Sequence, residues 1–119
     1  LIVYQKAFSA ACRVFDLSRT FPQEEKYALT DQIRRSSRSV AANIAEAWAK
    51  KIYPKSFVSK LSDSLGEEME TEVWLHFCFK HQYITSNEYQ DMTKLYREIR
   101  MMLTSMINNS DKFSNREIK

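Results

Sequence analysis

The sequence predicts an all-α domain folded as an antiparallel, up-down-up-down four-helix bundle. Three observations lead there. Apolar residues recur at three- and four-residue steps in four long segments, the signature of amphipathic helices. Short polar or proline-marked interruptions separate these segments, so neighbouring helices must reverse direction. The 119 residues contain one Gly and two Pro, far fewer than turn-rich sandwiches, barrels or doubly wound sheets need.

The first helix is expected over about Ile2 to Ser18, where Tyr4, Phe8, Ala11, Phe15 and Ser18 follow near-heptad steps. The second is expected to begin near Pro22, whose missing N–H is harmless in a first turn, with Glu24 and Glu25 at the positive end of the dipole. Thr20 and Gln23 suggest a capping box. Leu29, Ile33, Ser37, Val40, Ile44 and Trp48 form its inner stripe, and Lys50 and Lys51 suit its negative end. Tyr53-Pro54 opens the third helix, with Phe57, Leu61, Ser64 or Leu65, Met69, Val73 and Phe77 expected inward. Gly66 inside it costs about 1 kcal/mol relative to Ala, which a close helix contact would explain. Thr85-Ser86-Asn87-Glu88 reads as a capping box for the fourth helix, whose stripe is Tyr89, Met92, Tyr96, Ile99, Leu103 and Met106. The bundle is thus expected over 1–110, with fraying from Asn108 and a tail over 111–119.

A chain of 14.1 kDa suits one domain, burying roughly two-thirds of its unfolded surface. No apolar run reaches the roughly 20 residues that span a bilayer, and no basic segment followed by an apolar one opens the chain. A cytoplasmic protein with no membrane partner is expected. The start at Leu1, inside an amphipathic pattern, suggests that residues are missing upstream. Cys12 and Cys78 read as small hydrophobes rather than a disulfide. The net charge of +3 is mild, but its distribution is uneven: the segment from Lys26 to Lys51 is basic, and the one from Asp63 to Glu72 holds acids alone.

Lys26, Arg34, Arg35, Arg38, Lys50 and Lys51 are therefore the candidates for contact with RNA or DNA phosphates. With Ile33 taken as inward, Arg34, Arg38 and Arg35 point about 100°, 140° and 200° away from the core. The competing assignment pairs these arginines with acids of the third helix or of a neighbouring subunit. Ala42, Ala45 and Ala49 share the outward face, where a monomer would show Lys, Glu or Gln, and are candidates for a subunit contact. Met101, Met102 and Ile107 cannot all reach one inner stripe and join them.

Chemistry has fewer claims. His76 and His81 lie about 140° apart on one helix, whereas a helical chelate needs i and i+4 spacing, so no metal is expected with Cys78. Glu67, Glu68, Glu70 and Glu72 lack a nucleophile or partnering His and read as a solvated or salt-bridged face, with Glu68 and Glu70 available to the arginines. Tyr27, Trp48 and Trp74 are aromatics of the kind that stack on bases, but Trp48 is expected in the core and Trp74 partly exposed or at an interface, with no ligand assigned to it. No catalytic residue, cofactor or enzyme activity is expected.

Several stretches resemble one family. Val3-Tyr4-Gln5-Lys6-Ala7, the run from Phe21-Pro22-Gln23-Glu24-Glu25 to Gln32-Ile33-Arg34-Arg35, Ala42-Asn43-Ile44-Ala45-Glu46 and Glu68-Met69-Glu70-Thr71-Glu72 are similar to the bacterial 23S rRNA intervening-sequence proteins. The resemblance covers roughly residues 3–110. It implies a four-helix bundle assembled as a homopentamer around a central channel, without enzyme activity. It also implies kinship with accessory proteins of diversity-generating retroelements, which associate with nucleic acid through basic surfaces. The family often has Pro where this chain has Ala41 and Gly where it has Ala47, so the second helix is expected to run straighter here.

Overall fold

The computed structural model describes residues 1–114. Four long helices, α1 (Ile2–Ser18), α2 (Leu29–Ala49), α3 (Pro54–Lys80) and α4 (Ser86–Asn108), pack into an elongated bundle of 53 × 25 × 18 Å. A fifth, short helix α5 (Ser110–Ser114) follows. Part of the expected tail is thus helical, and Phe113 lies 6.3 Å from the ring of Phe57. Residues 115–119 of that tail fall outside the described residues.

α1 has the expected limits and α4 the expected cap. Thr85 Oγ1 accepts from the Glu88 N–H at 3.1 Å, and Glu88 Oε1 accepts from the Thr85 N–H at 2.8 Å. Such a reciprocal cap contributes about 1 kcal/mol. Met92, Tyr96, Ile99, Leu103 and Met106 are buried as their spacing required.

The start of α2 differs from expectation. Gln23–Glu25 forms one 3-10 turn after Pro22, and the helix proper begins only at Leu29. Glu25 decides this break: its Oε1 accepts from the Leu29 N–H at 3.3 Å, while its Oε2 accepts from the Tyr83 hydroxyl at 2.8 Å. One carboxylate thereby caps α2 and ties it to the α3–α4 turn. The expected Thr20 box does not form; Thr20 Oγ1 donates to the Leu17 carbonyl at 3.4 Å. Leu29, Ile33, Ser37, Val40 and Ile44 are buried, but Trp48 is 36% exposed, with the Lys51 ammonium 4.5 Å from the ring centroid.

α3 carries the largest correction. Its buried residues are Phe57, Leu61, Ser64, Glu68, Thr71, Leu75 and Cys78, whereas Met69, Val73 and Phe77 are exposed. The buried set alternates steps of four and three, which keeps a constant direction; repeated steps of four rotate about 40° each and walk off the core. Polar side chains hold the inner stripe because α2 supplies partners. Ser64 Oγ donates to the Val40 carbonyl at 2.8 Å, and Thr71 Oγ1 lies 2.8 Å from Ser36 Oγ.

Glu68 is fully buried rather than solvated. Burial first, then the neighbouring Glu72, push its carboxyl up to about 9, against a partial offset from Arg100. Neither Glu68 oxygen has a hydrogen-bond partner while the group is charged. Retaining its proton lets it donate to Glu72, whose Oε2 sits 3.4 Å from Arg100 Nη1. Burial and the charge of Glu68 likewise raise the Tyr96 phenol.

Gly66 is not at a close helix contact. A Cβ built there meets nothing within 4 Å, and the residue is exposed. Conversely, α3 ends in a Schellman arrangement, with Tyr83 N–H donating to the Cys78 carbonyl and Gln82 N–H to the Phe79 carbonyl, which places Gln82 at φ 64. That left-handed position favours glycine. Gly66→Ala and Gln82→Gly are each expected to raise the unfolding free energy by up to about 1 kcal/mol. Denaturant titration of the two variants measures this, and a lower midpoint for either contradicts the assignment.

Candidate interaction site

Three surfaces on this bundle are unusual for a chain that works alone. The first is a cleft between α1 and α2 of about 560 Å³, lined by Tyr4, Phe8, Ala11, Cys12, Phe15 and Asp16 from α1 and by Arg38, Ala41, Ala42 and Ala45 from α2. It exists because α2 offers only methyl groups opposite the aromatics of α1. Phe8 is left 54% exposed.

At one end of the cleft, three guanidinium groups gather around one ring. Those of Arg34, Arg19 and Arg38 lie 4.5, 5.0 and 5.6 Å from the centroid of Phe15. Cation–π attraction contributes about 0.5–1 kcal/mol at such partly exposed sites. Arg34 Nε also donates to Ser18 Oγ at 2.7 Å. Among the described residues none of the three has an acid within 4.0 Å, though Asp16 lines the same cleft.

The six basic candidates do not form one patch. Arg34 and Arg38 come together, and Arg19, absent from the sequence-based set, joins them. Its signal was available: Arg19 stands one helical turn after Phe15. Arg35 instead faces α3, where its charge partly lowers a Glu67 carboxyl that burial and nearby Glu70 raise. Lys26 sits before α2 with its ammonium 5.4 Å from the Tyr27 ring. Lys50 caps the far end of α2, about 18 Å along the helix from Arg38, and Lys51 lies over Trp48.

The third surface is the outer face of α3. Met69, Val73 and Phe77 form an apolar ridge directed away from the core, with Val73 50% exposed. Its edge toward α2 carries Asp63, Glu67 and Glu70, which line a shallow polar groove with Asn43, Ser62 and Gly66. Among the described residues Glu70 pairs with no arginine; its Oε1 accepts from Trp74 Nε1 at 3.2 Å. Trp74 is half-buried there, and Tyr27 is exposed.

The outward alanines Ala42, Ala45 and Ala49 are exposed as placed on the helical wheel. Met101 is 66% exposed, whereas Met102 and Ile107 pack partly against the core. Met101 and Met102 flank a second hollow of about 600 Å³ with Leu1, Ile2 and Phe113. His76 stacks on Tyr89 and His81 lies against Phe77 and Tyr83. Cys78 is buried, its thiol pushed up to about 12 by burial, and Cys12 is a free exposed thiol on α1. Among the described residues, no group of three or more His, Cys, Asp or Glu could hold a metal ion. No helix among them is long and apolar enough to cross a membrane.

The fold that carries these surfaces is shared. The model of the 23S rRNA-intervening sequence proteins matches residues 1–105, from α1 almost to the end of α4. The chain belongs to the 23S rRNA-intervening sequence protein family. A crystal structure from Bacteroides thetaiotaomicron VPI-5482 shows the same fold with a TM-score of 0.81 and 33% sequence identity, over 90% of this chain and 96% of that one. That relative is described as a protein of unknown function from the S23 ribosomal protein family. No curated protein matches the chain closely enough to be called a relative. In this 23S rRNA-intervening sequence protein, the cleft, the arginine cluster and the α3 ridge all lie within the matched residues 1–105.

Proposed function

We propose that this chain is a non-enzymatic structural subunit that acts by assembling with copies of itself. One observation carries the reading: a single bundle leaves two apolar surfaces, the α1/α2 cleft and the α3 ridge, uncovered on different sides. Apolar surface of this kind is normally covered in the working state of a protein. The homopentamer implied by the family resemblance supplies the subunit number. Size-exclusion chromatography with light scattering is expected to give five copies per particle; a monomer at high micromolar concentration removes the reading.

A second reading is favoured by the arginines around Phe15, whose charge has no acidic partner within 4.0 Å among the described residues. They suit a phosphate backbone, so the assembly would serve as a nucleic-acid-binding accessory protein in the cytoplasm. Affinity for single-stranded RNA or DNA would then fall steeply with salt. Alanine at Arg19, Arg34 and Arg38 together should weaken it at least tenfold, and unchanged affinity rejects this role.

A further inference from the structure

The α1/α2 cleft and the outer face of α3 are complementary in two independent respects. In shape, the cleft is hollow because Ala41, Ala42 and Ala45 leave about 560 Å³ opposite Phe8 and Phe15, while α3 projects Met69, Val73 and Phe77, each about half exposed, with Phe77 flanked by Trp74 and His81. In charge, the cleft ends in Arg19, Arg34 and Arg38 gathered on Phe15. The ridge is edged by Asp63, Glu67 and Glu70, and among the described residues none of these acids has a cation within 4.0 Å. The cleft thus carries three arginines and one acid, Asp16, and the ridge edge three acids, of which only Glu67 feels a nearby arginine, Arg35.

Resting on the self-association reading, we propose that the cleft of one copy receives the outer face of α3 from a second copy, with Glu67 and Glu70 toward Arg34 and Arg38. Contacts of like with like satisfy neither requirement. Cleft against cleft joins two hollows, and ridge against ridge brings the acids of both copies together. A contact between different patches is heterologous, so every subunit donates one ridge and accepts another, and the assembly closes into a ring or extends as a filament. Such an arrangement leaves neither the cleft nor the ridge of any subunit unpaired in a closed ring.

Two substitutions at exposed helical positions separate the halves. Ala45→Arg fills the cleft and leaves the ridge intact; Val73→Arg spoils the ridge and leaves the cleft intact. Arg is a good helix former, so each variant should keep the helical content and melting behaviour of a folded bundle by circular dichroism. In light scattering the native chain assembles, each variant alone is monomeric, and an equimolar mixture gives a one-to-one dimer through the one remaining good pair of surfaces. The proposal is overturned if either variant assembles like the native chain, or if the mixture stays monomeric at a concentration where the native chain is fully assembled. A monomeric native chain removes the self-association reading itself. A charge reversal tests the polar half: Glu70→Arg weakens assembly about tenfold, and adding Arg38→Glu restores it. Failure to restore overturns the pairing of the acids with the arginines.

Discussion

Replacing Glu68 by Gln is expected to raise the stability of the bundle at pH 8 by a few kcal/mol and to remove most of its decline between about pH 4.5 and about pH 9. The Glu68 carboxyl is raised from an ordinary 4.5 to about 9 by burial and by Glu72. Between those values the folded chain holds a proton that the unfolded chain has released. Folding must then take up that proton, and stability falls by about 1.4 kcal/mol per pH unit as pH rises. The contribution is whole below about pH 4.5 and lost progressively toward about pH 9. Glutamine keeps the shape and a donor toward Glu72 without a titration. Urea midpoints of both proteins from pH 5 to 9 should diverge with increasing pH, the native chain falling; parallel curves would show that Glu68 is ionised in the folded state.

The second large effect separates two stripes of α3. Leu75→Ala removes a side chain that is 1% exposed, and its unfolding free energy should drop by about 2–5 kcal/mol. Val73→Ala, two positions earlier, should change the stability of dilute, unassembled protein by no more than about 0.5 kcal/mol. The same substitution is expected to matter once subunits meet. Chemical denaturation across a hundredfold range of protein concentration distinguishes these, and a large loss for Val73→Ala in dilute solution would place that residue in the core.

These stripes also show where the sequence was and was not legible. α4 could be read closely, because it has one apolar stripe and carries its own cap, whereas in α1 only the limits were legible: its buried face is Val3, Ala7, Ala10, Ala11, Val14 and Ser18, and Phe8 of the expected stripe is exposed. α3 could not be read closely, because it has two faces that attract apolar residues: Leu61 and Leu75 turn toward α2 and α4, while Met69, Val73 and Phe77 turn outward. A rule that places apolar residues inside then selects the wrong one at the middle of the helix. Ser64, Glu68 and Thr71 owe their burial to hydroxyls, a carbonyl and carboxylates of other positions, which periodicity cannot reveal. The late start of α2 is likewise tertiary, since it depends on Tyr83 reaching back to Glu25.

The candidate surfaces were legible in part. The outward alanines and Arg34 with Arg38 followed from the wheel of a single helix. Phe8 and Phe15 were assigned to the inner stripe of α1, so the cleft they form with α2 went unread, and so did the contribution of Arg19. A site shared between two helices appears only when the rotation of each about its axis is known.

The hydrogen bonds from Ser64 to Val40 and between Thr71 and Ser36 have a bearing on how the molecule breathes. Short hydroxyl side chains draw α2 and α3 together at two levels along their length, and this pair shares the longest seam of the bundle, while α1 and α4 share the shortest. The middle of α2 and α3 should therefore hold its amide protons longest in deuterated solvent, with exchange beginning where α1 and α4 part. Opening along that seam leaves the α2–α3 pair intact, so the bundle has a durable half and a yielding half.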